Sequence, residues 1–219
     1  PAHCLTLITS REDKPPDFEA ATIELPELTY AEVGQMVVSL MESANREMLA
    51  RLYRETGGNA LYVEEMVHYL LDSGAAAHRP TSLPGTLKGL ICARFDRLET
   101  KTKHILQQAA VIGFHFTEPV LKAVDPELTP AHLQELRKAG FIQSLSDGGY
   151  AFRHAVSREA AYESLLKHDR ARLHGRIGRV LEGLYGEGAP DILAAHFCRG
   201  HDYRKALHYS LLAARRCRE

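Results

Sequence analysis

The sequence predicts a mainly α chain, and three observations predict it. From residue 29 onward, apolar residues recur at helical spacing in successive segments. The joints between those segments carry Gly, Pro or a helix-capping residue. Strand signals are confined to a short apolar run near the N-terminus and one "DGG" turn between two apolar stretches. The expected organisation is the last strand or strands of an α/β core (1–25), a helical subdomain (26–78), a winged helix domain (79–155) and a tetratricopeptide-like helical repeat region (156–219).

Residues 4–9, "CLTLIT", form an apolar, Thr-bearing run that reads as a buried strand, with "SREDKPPD" as its exit loop, and a second short strand is expected over "ATIEL", residues 21–25. The strand has nothing before it to pair with and position 1 is Pro, so the chain reads as a piece of a longer protein. "TYAEVGQMVVSLM" opens with Thr29 and has Glu32 three residues on, the spacing of a capping box. "REMLARLYRETGG" is an amphipathic helix stopped by Gly57 and Gly58, and "ALYVEEMVHYLLDSG" is a third helix. "AAAHRPTSLPG" (75–85) has the composition of a linker and marks a domain boundary.

Beyond it, "TLKGLICARFDRL", "ETKTKHILQQAAVIG", "TEPVLKAV" and "TPAHLQELRKAG" are helical, followed by the hairpin "FIQSLSDGGYAFRH". Helices followed by a hairpin are the order of a winged helix. Its expected recognition helix carries Glu135 beside Arg137 and Lys138 and has no base-reading Asn/Arg cluster, which disfavours DNA. The remainder is helical, and in "AAHFCRGHDYRKALHYSLLAA" the small and large positions Ala195, Gly200, Tyr203, Ala206, Leu207 and Ala213 alternate as in stacked tetratricopeptide helices.

With 27 basic and 28 acidic residues the formal net charge is −1, so no global field drives the 219-residue chain onto nucleic acid or anionic membrane. Cys4, Cys92, Cys198 and Cys217 lack CxxC spacing, as expected for reduced thiols in a cytoplasmic protein. No apolar run approaches the roughly 20 residues that span a bilayer. There is no GxxxxGK[ST], GxSxG, HExxH or EF-hand pattern, so these residues alone are not expected to catalyse. His196, Cys198 and His201 sit close in sequence, but residues two apart on a helix point to opposite sides, and packing outweighs zinc. Lys167, Arg170, Arg172, Arg176 and Arg179 form a basic run, yet Leu173, Ile177, Val180, Leu181 and Leu184 mark an apolar stripe, so the charges read as a solvated face. Arg11 follows the first strand, where the C-terminal edge of a parallel sheet presents ligand-binding groups, and a guanidinium there suits phosphate. A surface loop arginine is the equal alternative. His154 at the hairpin exit reads first as a helix-start packing residue, and Gly57, Gly58 and Asn59 as a C-cap followed by an N-cap.

Three of these motifs, in this order, resemble the signal-transduction ATPases with numerous domains (STAND), a branch of the AAA-related NTPases. The likeness is closest to regulatory ATPase modules linked to bacterial nucleotide-cyclase or protein-kinase domains. "LTLITSR" resembles the sensor strand that ends in an arginine near the γ-phosphate, which assigns a catalytic role to Arg11. "TGGNALYVEEMVHYL" resembles the "GGNPLFLEEL" element that opens a lid helix, which assigns nucleotide contact to Gly58, Asn59, Ala60 and Leu61; Ala60 stands where the family has proline. "YAFRHAVSREAAYESL" resembles the element after the winged helix whose histidine touches ADP phosphate, here His154. The resemblance implies a nucleotide-dependent switch that uses ATP or ADP with Mg in the full-length protein and no cofactor in this piece alone. The implied partners are an upstream nucleotide-binding core, an effector domain and proteins bound by the helical repeats, with no membrane. The alternatives are a transcription regulator that uses the winged helix or another DNA-binding domain, and a non-catalytic interaction scaffold.

Overall fold

A computed structural model describes residues 23–41, 45–72 and 85–217. The strand expected over 4–9, Arg11 and the linker up to residue 84 lie outside the described residues. Ile23, Glu24 and Leu25 are not in a strand, and Ile23 and Leu25 face solvent; the strand expected over "ATIEL" therefore has neither ladder nor burial there to hold it.

The first three helices are α1 (Tyr30–Leu40), α2 (Arg46–Thr56) and α3 (Ala60–Asp72). Thr29 and Glu32 form the expected capping box, with the Thr29 amide donating to the Glu32 carboxylate at 2.8 Å. Asn45 caps α2 by accepting from the Met48 amide. Val33, Val37, Leu52, Val63, Met66, Val67 and Leu70 bury against one another and against Leu90 of the next helix. Each such side chain contributes about 1.5–3 kcal/mol on full burial.

The middle unit runs α4 (Leu87–Phe95), α5 (Thr100–Ile112), β1 (His115–Phe116), α6 (Glu118–Val124), α7 (Pro130–Lys138), β2 (Ile142–Ser144), β3 (Tyr150–Phe152) and α8 (Ala155–Glu163). The three strands form an antiparallel sheet in the order β1-β3-β2, with Phe116 opposite Tyr150 and Gln143 opposite Ala151. The turn between β2 and β3 is closed by the Leu145 amide on the Gly149 carbonyl, and Gly148 adopts φ +83°. β1 is absent from the sequence reading: two residues are too few for an alternation to register. Ile91, Phe95, Leu106, Phe116, Leu136, Phe141 and Phe152 fill the core, and Ala160 and Ala161 of α8 close it from one side.

The last three helices are α9 (Lys167–Tyr185), α10 (Pro190–Arg199) and α11 (Tyr203–Arg216). Their close packing follows from glycine. A Cβ on Gly178 would press on the Phe197 ring at 3.1 Å, and one on Gly200 would stand 2.7 Å from the Gly175 amide nitrogen. Phe197 stacks on Tyr209 with centroids 5.7 Å apart. The α9 stripe buries Ile177 with Leu173, Val180 and Leu181 beside it, while Leu184 at its end is half exposed. No helix among the described residues is long and apolar enough to cross a membrane.

Candidate functional site

The turn from α2 to α3 is built by two glycines with different duties. Gly57 takes the left-handed conformation, φ +60°, and its amide closes on the Tyr53 carbonyl to end α2. Gly58 has φ +83°, and its carbonyl accepts from the Leu28 amide at 2.9 Å. A Cβ there would sit 2.2 Å from the Leu28 carbonyl oxygen, so only glycine lets the two backbones meet. Asn59 then caps α3, its Oδ1 accepting from the Tyr62 amide at 3.0 Å. Asn59 and Ala60 are exposed and Leu61 is half-buried. Beside them lies an open depression of about 500 Å³ lined by Glu27, Thr56, Gly57, Asn59, Tyr62 and Leu87, a size that small ligands occupy.

Further along α3 the interior turns polar. Glu65 is buried and bonds the equally buried Arg94 of α4. Arg94 also donates to Asp72 at 3.0 Å and to the Ala139 carbonyl at the end of α7, and its guanidinium lies 5.0 Å from the centre of the Phe141 ring. Burial pushes the Glu65 carboxyl above its usual range, and Arg94 pulls it back. Sequence reasoning missed this pair; its signal was a charged residue inside each apolar stripe.

One residue earlier, Glu64 faces the exit of the hairpin. Its carboxylate lies 3.3 Å from His154 Nε2, 3.4 Å from Arg153 Nη1 and 3.9 Å from His68 Nε2. Burial, and then Arg94, hold His68 below the usual imidazole range. His154 is the N-cap residue of α8, but its side chain makes no capping bond. Glu64 is four residues after Ala60, so both lie on one face of α3, about 6 Å apart along its axis. Gly58, Asn59, Ala60 and Leu61 are thus contiguous at the start of α3, with His154 facing the same helix one turn further on.

The chain shares its fold with part of a STAND ATPase. A crystal structure of a STAND protein with a tetratricopeptide repeat sensor from Pyrococcus horikoshii superposes over 81% of this chain and 25% of that one, with a TM-score of 0.57 and 18% identity. An uncharacterized protein of Rhizobium meliloti (strain 1021) is 25% identical over 138 residues, 57% of this chain and 13% of that protein. The chain therefore spans a quarter or less of either protein's length. No known protein-family profile matches the chain.

Within this STAND-like fold, the joint between the middle unit and the last helices holds a second cluster. His174 Nδ1 meets His196 Nδ1 at 3.0 Å, His174 Nε2 meets the Tyr162 hydroxyl at 3.0 Å, and His196 bonds the Ile112 main chain. One neutral arrangement satisfies all three contacts: Tyr162 donates to His174, His174 donates to His196, and His196 donates to the Ile112 carbonyl. Burial drives His174 down to about 3 and His196 to about 4, with Arg158 and Arg199 adding to the effect. His196 thus turns away from Cys198 and His201, which are both exposed, and no group of three His, Cys, Asp or Glu among the described residues is placed to hold a metal ion. His174 was missed because a histidine on a basic helix that also carries His168 has no sequence signal of burial.

Proposed function

We propose that this chain is the regulatory portion of a STAND-type signal-transduction ATPase, a conformational switch that couples nucleotide state to an effector. In this reading residues 26–78 are the lid, 79–155 the winged helix and 156–219 the start of the tetratricopeptide-like repeats. The observation that carries it is the convergence on α3: His154 of the hairpin exit faces Glu64, one turn from Ala60 at the glycine-built turn. ATP or ADP, with Mg, is held between an upstream core and this face. Asn59, Ala60 and Leu61 border the base, His154 approaches phosphate, and Arg11 approaches the γ-phosphate. Gly58 brings the loop before α1 against the turn, which fixes the angle at which α3 meets the ligand. Closing the core onto α3 and the hairpin exit would reposition the last helices through the middle unit.

A protein-contact role for the repeat region draws on the exposed apolar positions Tyr203, Leu207 and Leu211, which share one face of α11. The test of the switch is titration of the natural full-length polypeptide with ADP and ATP by calorimetry. Saturable binding of either nucleotide, weakened by His154→Ala and Asn59→Ala, is the expected result. Absence of binding by both sinks the switch and leaves the interaction-scaffold reading, whereas salt-sensitive binding of duplex DNA would favour the transcription regulator.

A further inference from the structure

The hydrogen-bonded chain of Tyr162, His174 and His196 crosses three helices, and each of its members has an arginine one turn away on its own helix. Arg158 stands four residues before Tyr162 on α8, Arg170 four before His174 on α9, and Arg199 three after His196 on α10. The Cζ atoms of Arg158 and Arg170 lie 5.9 and 5.0 Å from the centre of the same Tyr162 ring. Arg199 completes the group: after burial, its charge is the next cause that weakens proton binding by Arg158. Among the described residues, none of the three forms an ion pair, and the acids beside them are held by other cations, Glu163 by Lys88 at 2.6 Å and Asp169 by Arg172 at 3.1 Å. Burial keeps His174 and His196 neutral, so the charge at this joint is that of three guanidiniums, which do not deprotonate.

Arg158 is half-buried and already positioned, with its Nε donating to the Ala110 carbonyl at 3.0 Å and its two Nη groups left without an acceptor in the described residues. The side chains of half-buried Arg170 and exposed Arg199 donate to no acceptor there either. Three positive charges gathered at one joint repel one another until an anion joins them. Guanidinium forks match phosphate oxygens, and a phosphate monoester carries about −1.5 to −2 at neutral pH, closer to balancing three cations than one carboxylate is. We propose that Arg158, Arg170 and Arg199 form a binding site for the phosphate group of a small anionic ligand, which clamps α8 of the middle unit to α9 and α10. The site does not depend on the nucleotide switch proposed above: His154 faces Glu64 of α3, whereas Arg158 reaches α5 and the Tyr162 ring.

The test is calorimetric titration of the 219-residue chain with inorganic phosphate, at an ionic strength held constant with chloride. Binding should saturate, and Arg170→Gln and Arg199→Gln should each weaken it at least ~10-fold, the loss of one charge-assisted hydrogen bond. Arg199 bonds nothing in the described residues, so in phosphate-free buffer at low salt Arg199→Gln should be at least as stable in urea as the wild type. Phosphate should then raise the urea midpoint of the wild type and leave that of the variant unmoved. Two controls should keep wild-type affinity: Arg176→Gln/Arg179→Gln, on the exposed side of α9, and Arg153→Gln/His154→Gln, at the hairpin exit. Acetate should bind at least ~10-fold more weakly than phosphate. Absence of saturable binding, or losses no larger than in the α9 control, overturns the site, as does an Arg199→Gln variant that is less stable without phosphate. Binding that disappears with Arg153 and His154 places the anion at the hairpin exit and overturns it as well, and equal affinity for acetate overturns phosphate as the ligand class.

Discussion

Acidification should loosen the joint between the middle unit and the last three helices, through His174 and His196. An unfolded histidine titrates near 6.5, while burial first of all holds His174 down to about 3 and His196 to about 4, with the neighbouring His196 and Arg199 adding to the effect at His174 and Arg199 and Arg158 at His196. Between those limits the unfolded chain binds protons that the folded chain refuses, so stability is complete above about pH 7 and falls as the pH drops from 6.5 toward 4. Each histidine then costs ~1.4 kcal/mol per pH unit, and the pair ~3 kcal/mol per pH unit. At pH 5 the loss is ~4 kcal/mol, a large share of the ~5–15 kcal/mol by which a domain is stable. Urea unfolding followed by circular dichroism at a series of pH values reads this slope directly. The variant His174→Gln/His196→Gln keeps polar side chains at both positions and removes the titration. It should be less stable than the wild type at pH 7.5 and should lose most of the pH dependence between 6.5 and 4.5. Equal slopes in the two proteins would refute the reasoning, because they would assign the dependence to groups outside the pair.

Three other perturbations separate structural duties from ligand duties. Gly58→Ala places a Cβ 2.2 Å from the Leu28 carbonyl oxygen at φ +83° and should cost ~2–4 kcal/mol in urea denaturation, while Gly57→Ala, with open space around it, should cost only ~1 kcal/mol. Arg94→Met strands Glu65 in the interior and should cost ~3–5 kcal/mol; Arg94→Met/Glu65→Leu should recover much of that in the same assay. Thr29→Ala breaks the capping box and should cost ~1 kcal/mol, detectable as a lower midpoint without a change in denaturant slope.

The helices were legible because their apolar stripes, caps and stops agree. Thr29 with Glu32 ahead of α1 and Gly57 at the end of α2 each mark a boundary that local chemistry decides, whereas the Asn45 cap of α2 emerged only from the structure. The hairpin was legible from "DGG", since a left-handed glycine after Asp147 leaves the chain few other turns. β1 was not, because a two-residue strand exists only through its pairing with β3. The α2–α3 turn announced itself as a cap, but the reason for its second glycine, the approach of Leu28, is tertiary and has no sequence pattern. The polar clusters were least legible. Glu65 with Arg94 and His174 with His196 are 29 and 22 residues apart, and although Glu65 and Arg94 each sit among apolar residues, nothing local identifies the partner. His154 was singled out by its place in a motif, and its neighbour Glu64 emerged only from the packing of α3 against the hairpin exit.

The most direct test of the switch reading is amide hydrogen exchange on the natural full-length polypeptide, compared without nucleotide, with ADP and with ATP. The account predicts that nucleotide slows exchange at the α2–α3 turn and at the start of α8 together, and that ADP and ATP protect the α3 face facing His154 to different extents. Exchange at both segments that is unchanged by either nucleotide would contradict it.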